Sequence, residues 1–143
     1  MFVGEYKHSI DEKGRVAVPA KFRSVLEEGA ILTRGNDGSL VIYRMNEWEI
    51  LMEKIARLPQ SKPEARNYVR FVTSGAIDVK LDKQGRINVP AFLIEFAGLD
   101  KKVVFVGIYD KMEIWDQKKW DEYRKQIEVN SEEVLEGLDG YGL

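Results

Sequence analysis

Ile10-Asp11-Glu12-Lys13-Gly14-Arg15-Val16-Ala17-Val18-Pro19-Ala20 returns 71 residues later as Leu81-Asp82-Lys83-Gln84-Gly85-Arg86-Ile87-Asn88-Val89-Pro90-Ala91. Six of the eleven positions are identical, including the glycine, the proline and both ends of an Asp-x-x-x-Arg spacing. The correspondence continues outward. Phe22 matches Leu93 and Val25 matches Phe96; after a one-residue shift Ile42-Tyr43 matches Ile114-Trp115 and Trp48 matches Trp120. The 143-residue chain is two copies of one unit about half its length.

Each copy reads as strand, turn, strand, short helix, strand, turn, strand, helix. Gly14 falls where a tight hairpin needs a left-handed residue, which glycine adopts at no steric cost. Val16 and Val18 alternate, as in a strand with one buried face. Pro19 suits the first position of a short helix. Phe22, Val25 and Leu26 form its apolar stripe, and Gly29 ends it. Ile31–Thr33 and Leu40–Tyr43 flank Gly35-Asn36-Asp37-Gly38, a hairpin signal. Asn46, with Glu49 three residues on, is expected to cap a helix whose core face is Trp48, Leu51, Met52, Ile55 and Leu58. A further helix is expected from Pro63, with Ala65, Val69 and Val72 inward and Lys62, Arg66 and Arg70 outward. The last helix of the second copy is expected over 117–127, with Trp120, Tyr123 and Ile127 inward.

Composition bounds the function. Hydrophobic residues make up 44% and charged ones 32%, ordinary for a globular chain that buries a core without staples. With no cysteine there is no disulfide framework, no thiolate metal site and no cysteine nucleophile, and a reducing cytoplasm is expected. Met1-Phe2-Val3 runs straight into Glu5 and Lys7, so no signal peptide is expected. No apolar run approaches the ~18 residues of a membrane span. The formal net charge is −2, but it is unevenly placed. Residues 128–143 carry five acids and no base, so the remainder is +3. Residues 1–24 hold five bases against three acids, and residues 57–86 hold seven against three. A basic footprint on an acidic chain is one reading of this pattern; a normally solvated surface is the other.

The motifs narrow the chemistry. No G-x-x-x-x-G-K-[ST] loop is present for phosphate, and His8 is the lone histidine, too few for a metal site. Nothing resembles a serine nucleophile elbow, and His8 reads as a strand residue with a satisfied ring nitrogen. Asp11 and Asp82 could be paired carboxylates, but each lies four residues from an arginine across a tight loop. Two readings of the loops stay open. Asp and Arg could only brace the turn, or the hairpins could project Lys13 and Arg15, and Lys83 and Arg86, onto nucleic acid. Arginine suits the second role because its planar fork donates two parallel hydrogen bonds to phosphate or guanine.

The paired Asp11-x-x-x-Arg15 and Asp82-x-x-x-Arg86 motifs, each followed by a short strand and Pro-Ala, resemble those of the MraZ family. The opening from Gly4 to Arg15, and Pro19-Ala20-Lys21-Phe22-Arg23, are similar to that family's opening, and the resemblance covers essentially the whole chain. These are bacterial transcriptional regulators built from two AbrB-like (SpoVT-AbrB) domains. The resemblance implies an α+β, β-rich fold. Two tandem β-β-α-β-β units would form a swapped-hairpin, double-split β-barrel with flanking helices. The expected boundaries are 1–75 for the first unit, 76–128 for the second and 129–143 for a mobile acidic tail.

The resemblance further implies a cytoplasmic, nucleoid-associated DNA-binding regulator, a repressor of the division and cell-wall gene cluster. Its partners would be double-stranded DNA, at promoter repeats, and itself, in a ring-shaped homo-oligomer. No cofactor, metal, membrane or small-molecule substrate is implied, and no catalysis. The family's DNA-contacting positions fall on Asp11, Arg15, Asp82 and Arg86, with Lys13 and Lys83 assisting and Lys21 and Arg23 as lesser candidates. The tips differ, Glu12-Lys13 against Lys83-Gln84, so the two loops need not contact DNA alike. The alternatives are an oligomeric protein-interaction scaffold and an antitoxin-like regulator.

Overall fold

A computed structural model describes residues 1–143 as a mixed α+β chain rich in antiparallel strands. The first copy supplies β1 (Glu5–Ser9), β2 (Arg15–Ala17), β3 (Ala30–Arg34), β4 (Leu40–Arg44), α1 (Met45–Ala56) and α2 (Pro63–Ser74). The second supplies β5 (Ile77–Val79), β6 (Arg86–Asn88), α3 (Ala91–Ala97), β7 (Lys102–Ile108), β8 (Lys111–Asp116), α4 (Gln117–Val129) and α5 (Ser131–Glu136). The repeat predicted from sequence is thus present strand by strand.

The copies do not fold side by side. They exchange strands. The six-stranded sheet has the order β1-β7-β8-β4-β3-β5, and β2 pairs with β6 in a separate ribbon. Swapping each strand for its counterpart reverses the order into itself, so a pseudo-twofold axis passes between β4 and β8. The first strand of each copy lies against the third of the other: Tyr6 opposite Phe105 on β1 and β7, Ile31 opposite Asp78 on β3 and β5. The sheet is open, with β1 and β5 as its edges, rather than a closed barrel.

One core spans both copies. Val16, Val18, Phe22, Leu32 and Ile42 pack with Ile87, Val89, Leu93, Phe105 and Ile114, all nearly inaccessible. Neither unit buries this face alone, which is why the copies interlock. A smaller cluster of Val104, Val106, Trp115 and Trp120 holds α4 to the back of β7 and β8. The Trp120 indole also donates to Glu5 on β1.

Several local expectations shift. Pro19 and Pro90 stand one residue before their helices, at the N-cap position. The first copy's short helix is two 3-10 turns, Ala20–Phe22 and Ser24–Leu26, where the second has a true α-helix. Ser24 stands where the second copy has Glu95, a better helix former. Asn46 does not cap α1. Strand β4 runs directly into the helix, Arg44 takes the cap position, and no side chain caps it. Of the expected inward residues, only Ile55 on α1 and Val72 on α2 are buried; Trp48, Leu51, Met52, Leu58, Ala65 and Val69 remain half-covered. On α4, Trp120 is buried but Ile127 is exposed. Residues 131–136 of the acidic end are helical, with every side chain exposed. No helix is long and apolar enough to cross a membrane.

Candidate nucleic-acid interface

Both repeated loops fold the same way, because one aspartate organises each. In the first, the Asp11 amide donates to the Arg15 carbonyl at 3.0 Å and the Gly14 amide to the Asp11 carbonyl at 3.0 Å. Asp11 Oδ1 accepts from the amides of Lys13 and Arg15, both at 2.9 Å, and Oδ2 accepts from Arg15 Nε at 2.7 Å. In the second, Asp82 Oδ1 accepts from the amides of Gln84 at 2.8 Å and Arg86 at 2.9 Å, and Oδ2 from Arg86 Nε at 2.8 Å. The Arg15 amide does most to hold the Asp11 carboxyl below its ordinary range; the Arg15 side chain and the Lys13 amide add to it, and desolvation opposes them. Asp82 is held down in the same order by the Arg86 amide, the Arg86 side chain and the Gln84 amide, again against desolvation.

The aspartate therefore braces the turn and also aims the arginine. It takes Nε in both loops, and the terminal Nη nitrogens of Arg15 and Arg86 have no protein acceptor. The edge left free is the one that donates two parallel hydrogen bonds. The carboxylates are not shared between copies; each is engaged by its own arginine.

The ribbon brings the two arginines together. Arg15 lies opposite Asn88, Val16 opposite Ile87, and Ala17 opposite Arg86. Strand alternation puts Val16 and Ile87 on the buried face and Arg15, Ala17, Arg86 and Asn88 on the outer one. Arg15 and Arg86 are diagonal neighbours, roughly 7–8 Å apart at Cα. Across the ribbon ends, the Val89 amide donates to the Gly14 carbonyl at 2.8 Å and the Val18 amide to the Gly85 carbonyl at 2.9 Å. Each hairpin tip is thus held by the strand of the other copy.

The surroundings break this symmetry. Arg23 reaches back to the Val18 carbonyl through Nε at 2.9 Å and lies against Gly85. With Lys80, Lys83, Asp82, Gln84 and Glu27 it lines a groove beside the second loop. The counterpart of Arg23 is Ile94, which lies against Gly14 in a groove holding Asp11, Glu12, Leu99, Asp100 and Lys101. The second groove carries three bases and two acids, the first one base and three acids. Lys13 is exposed at the first tip and Lys83 at the second. Lys21 is exposed, its ammonium 5.9 Å from the centre of the Phe22 ring. Arg66 and Arg70 line a groove between α1 and α2.

His8 stands on β1, its ring edge-on to Phe105 at 5.5 Å, with no protein hydrogen bond to either ring nitrogen. Burial, and then the charge of Arg23, hold its pKa below the ordinary value. No group of three or more His, Asp or Glu is placed to hold a metal ion. Sequence reasoning passed over Asn88 and Lys80. Asn88 had a signal: it is two residues beyond Arg86 on an alternating strand, hence on the same face.

The comparisons agree with this two-copy architecture. The family described as "MraZ protein, putative antitoxin-like" matches residues 1–71 and again 72–139. A protein named transcriptional regulator MraZ from Natranaerobius thermophilus is 50% identical over 138 residues, 96% of each chain. Proteins of the same name from Caldanaerobacter subterraneus and Desulfitobacterium hafniense are 44% and 49% identical over 143 residues, the full length of both chains. Two matches to one family along a chain whose two halves exchange strands, together with relatives of equal length, place the protein in the MraZ family of transcriptional regulators.

Proposed function

We propose that the protein is a sequence-specific DNA-binding regulator whose reading head is the β2–β6 ribbon. The observation that carries this is the register that sets Arg15 and Arg86 side by side on one exposed face, each held at Nε with its terminal nitrogens free. A two-stranded ribbon fits the major groove of B-DNA, and arginine forks pair with guanine O6 and N7 there. Lys13, Lys83 and Arg23 flank the ribbon and supply phosphate contacts, which position the protein without reading sequence. Asp11 and Asp82 act as positioning residues. The strand exchange supports describing the fold as one of swapped hairpins.

In this reading the protein works in the cytoplasm on the nucleoid, by binding rather than catalysis. It represses the division and cell-wall gene cluster from promoter repeats. One ribbon makes few contacts, so a ring-shaped homo-oligomer engages several repeats and gains affinity through effective concentration. An antitoxin-like regulator is the second reading, favoured by the description of the matching family.

The test is fluorescence anisotropy on duplex DNA from upstream of the gene, against scrambled duplex, across a salt series. Sequence-preferring binding that weakens with salt and vanishes in Arg15→Ala/Arg86→Ala is expected. Binding that ignores sequence, or that survives in the double variant, would move the site elsewhere.

A further inference from the structure

Two surfaces of this chain are incomplete in complementary ways. The first is the face of α1 and α2. Their apolar side chains are mostly half-covered, and a groove of about 370 Å³ opens between Ile55, Leu58, Ala65 and Val69, with Arg66 and Arg70 on its rim. Residues 54–70 carry five bases, Lys54, Arg57, Lys62, Arg66 and Arg70, against one acid, Glu64. None of the five forms an ion pair within the chain.

The second is the C-terminal segment. Helix α5 has six residues, and a helix this short is marginal in water without tertiary packing of one side. Yet every residue from 131 to 143 is exposed. Val134, Leu135, Leu138 and Tyr141 recur at helical spacing. Between them lie Glu132, Glu133, Glu136 and Asp139, four acids with no ion-pair partner.

We propose that the 131–143 segment of one copy docks in the α1–α2 groove of a second copy, apolar stripe into the groove and acids against its basic rim. Charge selects the occupant: a segment of net −4 meets a groove whose charged lining residues are Arg66 and Arg70, both basic and neither in an ion pair within the chain. A copy does not serve itself. Its tail leaves from α4, packed on β7 and β8, and is exposed throughout, while its groove opens between α1 and α2, which pack on β4 and β3. The contact joins two different surfaces, so each copy offers one tail and one groove, and such head-to-tail contacts form a ring where the rotation between copies closes. The inference rests on the self-association proposed above and names the surfaces that make it.

The chain has no cysteine, which makes the test direct. Full-length Leu135→Cys and Val69→Cys proteins are mixed, exchanged and mildly oxidised. A cross-linked dimer is expected in the mixture well above either variant alone, and the doubly substituted chain is expected to give a ladder of multimers. No dimer above the single-variant background, or an internally linked monomer, overturns the docking. Light scattering on the unmodified protein separates the two ideas. A monomer removes the self-association reading and this inference together; an oligomer that persists in a chain ending at Asn130, with no cross-link, removes this inference alone. Arg66→Glu/Arg70→Glu is expected to weaken the assembly, and Glu132→Arg/Glu133→Arg in the partner to restore it.

Discussion

The carbonyl of Gly14 accepts the amide of Val89 at 2.8 Å, so the tip of the first hairpin is built partly from the second copy. Gly14 has φ +80°, and a Cβ there would run into the Val89 carbonyl. Gly85 has φ +74°, but the nearest atoms a Cβ there would meet belong to the Arg23 side chain, which can swing away. The left-handed backbone costs alanine roughly 1–2 kcal/mol at either site. Gly14→Ala also displaces a backbone hydrogen bond, worth about 1 kcal/mol more. Thermal unfolding is expected to rank Gly14→Ala below Gly85→Ala, and both below wild type. Equal melting temperatures for the two variants would show that the inter-copy contact carries no weight.

The fork of Arg86 matters beyond its charge. Arg86→Lys keeps the positive charge but loses the parallel donors and the Nε contact that Asp82 holds. Preference for the cognate duplex over scrambled DNA is expected to fall by roughly 1–3 kcal/mol, while binding to scrambled DNA stays near wild type. Arg15→Ala and Arg86→Ala are expected to be non-additive, because the two residues share one face of the ribbon. A lysine variant that keeps full sequence preference would reduce Arg86 to a phosphate contact.

Arg23 and Ile94 occupy equivalent places, yet only Arg23 adds charge beside a loop. Arg23→Ile is expected to weaken binding to all duplexes alike and to lower the salt slope by about one. Ile94→Arg is expected to raise it. A salt series on each variant measures both, and an unchanged slope in Arg23→Ile would place that side chain off the DNA.

The depressed carboxyls give a prediction in acid. A carboxyl whose folded pKa lies below its unfolded value stabilises the fold above the unfolded value and loses that contribution as pH falls through the folded one. Asp11 and Asp82 therefore keep their charge to lower pH than an ordinary aspartate, and the braces open in correspondingly stronger acid. Carbon-detected NMR titration of the two carboxyls is expected to show both below ordinary aspartate values. In Arg15→Ala, Asp11 is expected to rise only part of the way, because the Arg15 amide, the larger cause, remains. A full return to the ordinary value would assign the effect to the guanidinium instead.

The repeat was legible because glycine, proline and an Asp–Arg pair are hard to preserve by accident at one spacing. Val16, Val18 and Leu93 could be placed in the core from alternation and helical spacing, and all three are fully buried. The exchange between copies was legible only through the family resemblance, since a strand's partner depends on which of two near-identical faces closes the shared core. Nor was the meeting of Arg15 and Arg86: sequence places them on separate loops, and only the β2–β6 register makes them neighbours. Asn46 misled for a local reason. Its capping pattern is sound, but β4 carries the chain into α1 without a turn, so the helix starts before the cap can act.

If the ring reading holds, the spacing of DNA repeats is a ruler for it. Neighbouring ribbons in a ring face the DNA from one side, so repeats must present the same groove to that side, near one helical turn of ~10 bp or a multiple. Inserting ~5 bp between two repeats turns the second site to the far side, and simultaneous engagement is lost. Affinity is then expected to fall toward that of a single repeat, a loss on the order of 10²–10⁴-fold where two sites had bound together. Inserting ~10 bp restores the facing and should recover most of it. Anisotropy on the three duplexes reads this directly. Equal affinity for all three would mean that each repeat is bound independently, and the avidity argument would be abandoned while the ribbon contact itself stood.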